Sequence, residues 1–205
     1  MSGSAVRRII PFLFAAATVV AVTAAALAFA AGTRAQVDDP NDAKGTLDVR
    51  RVWFEPEAGP PRWTVLTFAD WEPAQIPDRG FVFVFLDTAG DAKDDYYVLI
   101  SSNGRRLVGS LWRDPKHGAD VRMRALAVTR DSTSSVAVKV PVGALLGPFR
   151  TSYGWRVVTT FTGPVCRATC VDQIPDDGAF QQPVGTPTPT DTPTPSPSVV
   201  EGRGR

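Results

Sequence analysis

Between Val37 and Phe180 the apolar residues recur at every second position, in short runs punctuated by Gly, Pro, Asn and Asp. A repeat of two is the period of a pleated strand with one face buried, and an α-helix, with 3.6 residues per turn, cannot use it. The runs fall at 47–54, 63–69, 81–86, 95–101, 105–112, 121–130, 135–140 and 153–161. Asn103-Gly104 lies between two of them and signals a hairpin; Asp131-Ser132-Thr133 sits between another two and suggests a second. In the last run Tyr153, Trp155, Val157, Thr159 and Phe161 share one face. The run at 81–86 is apolar throughout, which predicts a central strand covered on both sides. No helix-period segment of useful length interrupts the series, and the best candidate is one turn at 142–146. The expected fold is all-β, a two-sheet antiparallel β-sandwich of jelly-roll type over residues 36–180. A domain of about 140 residues can bury roughly 68% of its unfolded surface, enough to fold without a metal.

The ends of the chain differ in kind. Arg7 and Arg8 precede an uncharged stretch over 9–31 that ends in small residues, the pattern of a secretory signal. Ala28-Phe29-Ala30 and Thr33-Arg34-Ala35 both suit cleavage, while the length also reaches the roughly 20 residues that span a bilayer. Residues 1–35 are therefore read as a signal peptide or an N-terminal membrane anchor. On either reading the remainder lies outside the cytoplasm, secreted or held at the outer face of the membrane. Residues 181–205 alternate Pro with Thr and offer no apolar face, which suits an extended disordered tail, free or serving as a stalk.

Cys166 and Cys170 suit that oxidising compartment and are read as a short disulfide in a Pro-bounded loop. Closing so small a loop contributes about 2 kcal/mol, so the bond shapes the loop more than it stabilises the domain. A metal or redox pair would call for CxxC spacing or further ligands. The formal net charge of +1 leaves no electrostatic case for nucleic acid or an anionic membrane surface. The oligomeric state has no signature.

Catalysis finds little support. The single histidine, His117, is followed by Gly118 in a polar loop, and neither a GxSxG elbow nor a Gly-rich phosphate loop occurs. The expectation is a non-catalytic module. His117 with Met123 would be the only haem-ligand pair, and the plainer reading places His117 in solvent and Met123 in a core gap.

Acidic residues gather in three loops. One holds Asp38, Asp39 and Asp42 and leads to Asp48; another runs from Asp87 through Asp91 to Asp94 and Asp95; the last contains Asp172, Asp176 and Asp177. Calcium takes 6–8 oxygens, and the first and last of these loops flank the domain, so together they could form one Ca2+ site. Asp, Asn and Gly are also ordinary turn formers, and Asp87 and Asp95 could instead cap a turn. Of the five tryptophans, Trp53, Trp63, Trp112 and Trp155 lie within strand runs, where three of the four are expected in the core. Trp71 sits in a loop between Asp70 and Glu72 and is the expected accessible indole. A sugar ring could stack on it while the two carboxylates accept hydroxyls, which makes carbohydrate or another cell-surface ligand the expected partner. A structural or protein-interaction domain is the alternative.

The acidic loop before Leu47-Asp48-Val49, the buried run ending in Asp87-Thr88 with Asp95-Tyr96-Tyr97 after it, and Val140-Pro141-Val142-Gly143 ahead of an aromatic final strand resemble the carbohydrate-binding-module-9-like sandwiches. That superfamily includes the dopamine-monooxygenase N-terminal (DOMON) domains. The resemblance, over about residues 38–172, implies an extracellular β-sandwich, often calcium-bearing, that binds sugar in some members and haem in others. Sugar-binding members use paired exposed tryptophans, of which only Trp71 aligns. Haem-binding members need Met and His on facing strands, where this chain has His117 in a loop.

Overall fold

A computed structural model describes residues 35–56, 59–115, 117–148 and 150–184. Nearly all of the segment read as a signal peptide or membrane anchor, and most of the Pro/Thr tail, lie outside the described residues. Those described form two antiparallel sheets, as the period-two pattern requires. The first has the order β1 (Ala35–Asp38), β2 (Val49–Glu55), β3 (Arg62–Thr67), β9 (Ser135–Lys139), β8 (Val128–Thr129). The second runs β11 (Cys166–Ile174), β10 (Ser152–Gly163), β4 (Gly80–Asp87), β5 (Tyr96–Ser102), β6 (Leu107–Arg113), β7 (Val121–Leu126). A short β12 (Phe180–Pro183) pairs with β10 beside β11. Single-turn 3-10 helices lie at Pro73–Gln75 and Val142–Ala144.

Inward-facing residues of both sheets make one core. Val49, Val52, Phe54, Trp63 and Val65 of the first sheet meet Val82, Val84, Leu86, Val98, Trp155 and Val157 of the second. An aromatic group joins the layers: the Phe54 ring centroid lies 4.9 Å from Trp63 and 6.0 Å from Trp155, and Trp155 lies 4.8 Å from Phe180. Truncating one such ring to Ala typically costs 3–5 kcal/mol, because the cavity collapses only in part.

Several expectations need correction. The run at 121–130 is not one strand: it breaks at Ala127, where the chain leaves β7 in the larger sheet for β8 in the smaller, and only β8 pairs with β9. The sandwich continues beyond residue 180, since Gln181, Gln182 and Pro183 pair with β10 and Gln182 is buried. Cys166 and Cys170 lie within a strand, β11, and not in a free loop. Met123 does not fill a core gap but is 48% exposed, at an irregularity in the pairing of the edge strand β7. His117 is exposed. Trp63 and Trp155 are buried, whereas Trp53 and Trp112 are only half-buried and point away from the core.

Candidate cation site and outer sheet face

The loop between β1 and β2 returns to the open edge of the sandwich, where β2 lies close to β11. Backbone groups stitch it there. The Val49 N–H donates to Asp172 Oδ2 at 2.6 Å, and the Thr159 hydroxyl donates to the Leu47 carbonyl at 2.6 Å. Thr159 and Asp172 are cross-strand partners on β10 and β11. The Asp48 carbonyl accepts the Phe68 N–H at 2.9 Å, and the Asp39 N–H donates to the Arg50 carbonyl at 3.0 Å. These bonds deliver one carboxylate oxygen each from Asp39, Asp42, Asp48 and Asp172 to a space in which all four lie within 4.8 Å of one another.

The electrostatics are those of crowded carboxylates with few donors. Asp48 and Asp172 are buried, Asp39 is half-buried and Asp42 is exposed. Asp48, only 4% exposed, has an Oδ1 with no hydrogen-bond partner, and Asp39 has an equally orphaned Oδ2. Among the described residues no Lys or Arg pairs with any of the four. Burial, followed by the fields of Asp172 and Asp42, pushes the Asp39 carboxyl up to about 7. Burial and the same neighbours push Asp48 up to about 6. Burial also raises Asp172, against the lowering effect of the Val49 and Gln173 N–H bonds. Buried carboxylate oxygens left without a donor, as on Asp39 and Asp48, are costly. A cluster of hard oxygens in this state can coordinate a divalent cation.

The other acidic residues expected at the site do not join it. Asp38 is exposed and paired with Arg51 and Gln36. Asp176 and Asp177 are exposed, and Asp176 reaches the cluster only as a field that raises Asp39. Asp87 and Asp95 adopt the turn-capping alternative. Asp95 Oδ2 accepts the Thr88 and Ala89 N–H groups and the Thr88 hydroxyl at 2.8, 2.7 and 2.9 Å, while Asp87 accepts the N–H groups of Gly90 and Ala92.

Cys166 and Cys170 form the expected disulfide, with Cα atoms 5.6 Å apart. Its Cys166 sulfur lies 3.3 Å from the Lys44 carbonyl oxygen and, carrying no proton, makes a packing contact there. Gly45 adjoins it with φ +116°, and a Cβ at that position would come within 2.8 Å of Phe161. The disulfide thus buttresses the loop that carries Asp42 and Asp48.

Trp71 is not accessible: it is 1% exposed, and its indole N–H donates to Thr67 Oγ1 at 3.1 Å. The Arg130 guanidinium lies 4.3 Å from its ring centroid and donates to its carbonyl at 2.7 Å. Asp70 accepts the Thr133 hydroxyl at 2.8 Å, and Glu72 stands 3.6 Å from Arg130. The three residues clamp the 130–135 turn. Acidic flanks mislead here because their partners come from elsewhere in the chain.

The accessible aromatics lie elsewhere. Val82, Val84 and Leu86 of β4 enter the core, so Phe81, Phe83 and Phe85 point outward, and no layer covers β4 on that side among the described residues. Across the strands Arg156, Phe85, Tyr97, Trp112 and Arg122 stand in one register row. The Tyr97 and Trp112 rings are parallel to within 2°, with centroids 6.1 Å apart, and Phe85 lies 5.8 Å from Tyr97. The Tyr97 hydroxyl donates to Asp120 at 2.8 Å, and the Trp112 N–H to Ser110 at 2.8 Å. Burial and the Asp120 bond push the Tyr97 hydroxyl up to about 12, so it stays protonated. The period-two pattern contained this face, since each outward residue alternates with a buried one, but an unbroken apolar run conceals which set points out. No family model, curated protein or solved structure matches the chain.

Proposed function

We propose that this chain is an exported, non-catalytic binding module that holds carbohydrate on the outer face of its larger sheet, with calcium clasping the two sheets at the opposite edge of the strand order. The observation that carries the reading is the half-exposed aromatic row Phe85–Tyr97–Trp112. A sandwich normally turns polar side chains outward, and the parallel Tyr97 and Trp112 rings on a rigid sheet suit the apolar C–H faces of successive sugar rings, while Phe85 is tilted 46° to Tyr97 and lies beneath the Arg156 guanidinium. Asp120 and Ser110 hold the polar ends of the rings, which fixes their orientation before a ligand arrives.

Calcium suits the acidic cluster. Opposed oxygens around Ca2+ at 2.3–2.6 Å stand at most about 5 Å apart, and the four donors all lie within 4.8 Å of one another. Asp39, Asp42, Asp48 and Asp172 would supply the protein ligands, and the ion would offset their mutual repulsion while tying β2 to β11.

Glycan-array binding by the calcium-loaded protein is the test. Trp112→Ala is expected to weaken binding strongly without lowering Tm by more than a few degrees, because the side chain is outside the core. An array with no bound glycan, or binding unchanged in both Trp112→Ala and Tyr97→Ala, would overturn the carbohydrate reading and leave a structural or protein-interaction role.

A further inference from the structure

The formal charge of +1 conceals a local excess. At the β6–β7 edge of the larger sheet is a cleft of about 690 Å3 lined by Arg105, Arg106, Arg122 and Arg130 together with apolar groups, of which Leu107, Leu126 and Val128 also pack against the core, and no Asp or Glu lines it. Arg130 is committed to the Trp71 and Ser135 carbonyls and to Glu72. Arg105, Arg106 and Arg122 are exposed and have no acidic partner among the described residues. The turn that carries the first two is built, not floppy. Asn103 Oδ1 accepts the N–H groups of Arg105 and Arg106 at 3.1 and 3.0 Å, and Ser102 Oγ donates to the Pro73 carbonyl at 2.5 Å while accepting the Gly104 N–H at 2.9 Å.

Register connects this cleft to the aromatic row. Ala125 lies opposite Ser110, which continues through Leu99 to Phe83, and Val108 lies opposite Ser101. Ala125 and Val108 both line the cleft, and Arg122 is the cross-strand partner of Trp112. One continuous surface therefore passes from stacked rings to unpaired guanidiniums. Guanidinium is a planar fork matched to carboxylate and sulfate, and three such groups without counter-charge favour an anion over a neutral ligand. The mixture of apolar wall and guanidinium also matches a sugar ring bearing an acid group.

We infer that the ligand is an acidic polysaccharide, whose rings stack on Tyr97 and Trp112 while its carboxylate or sulfate groups enter the cleft and pair with Arg105, Arg106 and Arg122. This rests on the carbohydrate reading above and adds the charge of the ligand and the residues that select it. A second copy of the chain fits less well, since it would bring the same uncompensated arginines.

Titration calorimetry on the calcium-loaded full chain would use hexasaccharides of galacturonate, hyaluronan and chondroitin sulfate beside neutral hexasaccharides of mannan and xylan. At least one acidic sugar is expected to bind ten or more times tighter than either neutral one, with affinity falling as salt rises. The triple variant Arg105→Gln, Arg106→Gln, Arg122→Gln should lose that preference, keep its Tm because all three side chains are in solvent, and retain residual ring binding. Trp112→Ala should weaken acidic and neutral sugars alike. Equal affinity for acidic and neutral sugars, or an affinity unchanged in the triple variant, would overturn the acidic-ligand inference while leaving the carbohydrate reading intact. Binding of inorganic sulfate with no sugar of either kind would overturn both, as would Trp112-dependent self-association with no sugar bound.

Discussion

In the loop after β4, Asp87 and Asp95 together accept five hydrogen bonds, four of them from backbone N–H groups. In the loop before β2, Asp48 and Asp39 each retain a buried oxygen that accepts none, and two further carboxylates crowd against them. Both loops are rich in Asp and turn residues. They differ in where the chain spends its backbone groups: the first loop curls around its own carboxylates, while the second reaches Asp172 of β11, Thr159 of β10 and Phe68 just after β3. A carboxylate that caps a turn is chemically complete, whereas one presented to other carboxylates is relieved by a proton or a counter-ion. Acidic composition is therefore a poor guide to a cation site, and the hydrogen-bond ledger of each oxygen is a better one.

Calcium removal should separate the two loops most clearly. With free calcium at 100 times its Kd, mass action adds about 2.7 kcal/mol, or roughly 8 °C in Tm for a domain of this size. Asp48→Asn with Asp172→Asn should abolish that difference, since the amide keeps an acceptor for the Val49 N–H but removes the charge. Identical melting curves with calcium and with chelator in the unaltered protein would eliminate the site. The pH response has a definite sign. Asp39 and Asp48 are raised in the folded state, to about 7 and about 6, so the folded protein holds more protons than the unfolded chain above pH 4. Without calcium, the contribution of these two carboxyls to stability is fully present below about pH 4 and lost as pH rises through 6 to 7. Saturating calcium should flatten that decline, because the ion takes the place of the protons; a calcium-free Tm that rises from pH 5 to 8 would contradict the assigned environment.

At the other loop, Asp95→Ala removes the acceptor of three donors and is expected to cost about 2 kcal/mol, by the same amount with and without calcium. Urea midpoints under both conditions measure it, and a loss confined to calcium-loaded protein would erase the distinction drawn here. The smallest effect belongs to Trp71→Phe, which removes one indole hydrogen bond to Thr67 and a little packing, about 1 kcal/mol. Glycan binding should be unchanged in this variant. A large loss of binding would return the ligand to the Asp70–Trp71–Glu72 loop.

The alternation within 153–161 was sufficient to assign a whole face, because every inward residue of β10 obeys the pleat and is buried. The hairpin at Asn103-Gly104 was equally legible, since its turn chemistry is local. Legibility failed where a residue's neighbours come from far along the chain. Trp71 looked solvated until Arg130, 59 positions later, covered its ring. Asp48 and Asp172 meet across 124 positions, and nothing near either distinguishes them from Asp38 or Asp177. Arg105, Arg106 and Arg122 resembled evenly scattered charge because the β5–β6 turn and β7 become neighbours only through strand pairing.

By itself, then, the sequence determined the strand period, the two-layer sandwich, the Asn-Gly hairpin and the Cys166–Cys170 bond, all of which depend on spacings shorter than one strand or one turn. Tertiary structure alone decided which of several acidic loops gathers unpaired carboxylates, which indoles face water, and where arginines converge. Those outcomes depend on contacts between distant strands, and a one-residue change of register would send every one of those side chains to the opposite face.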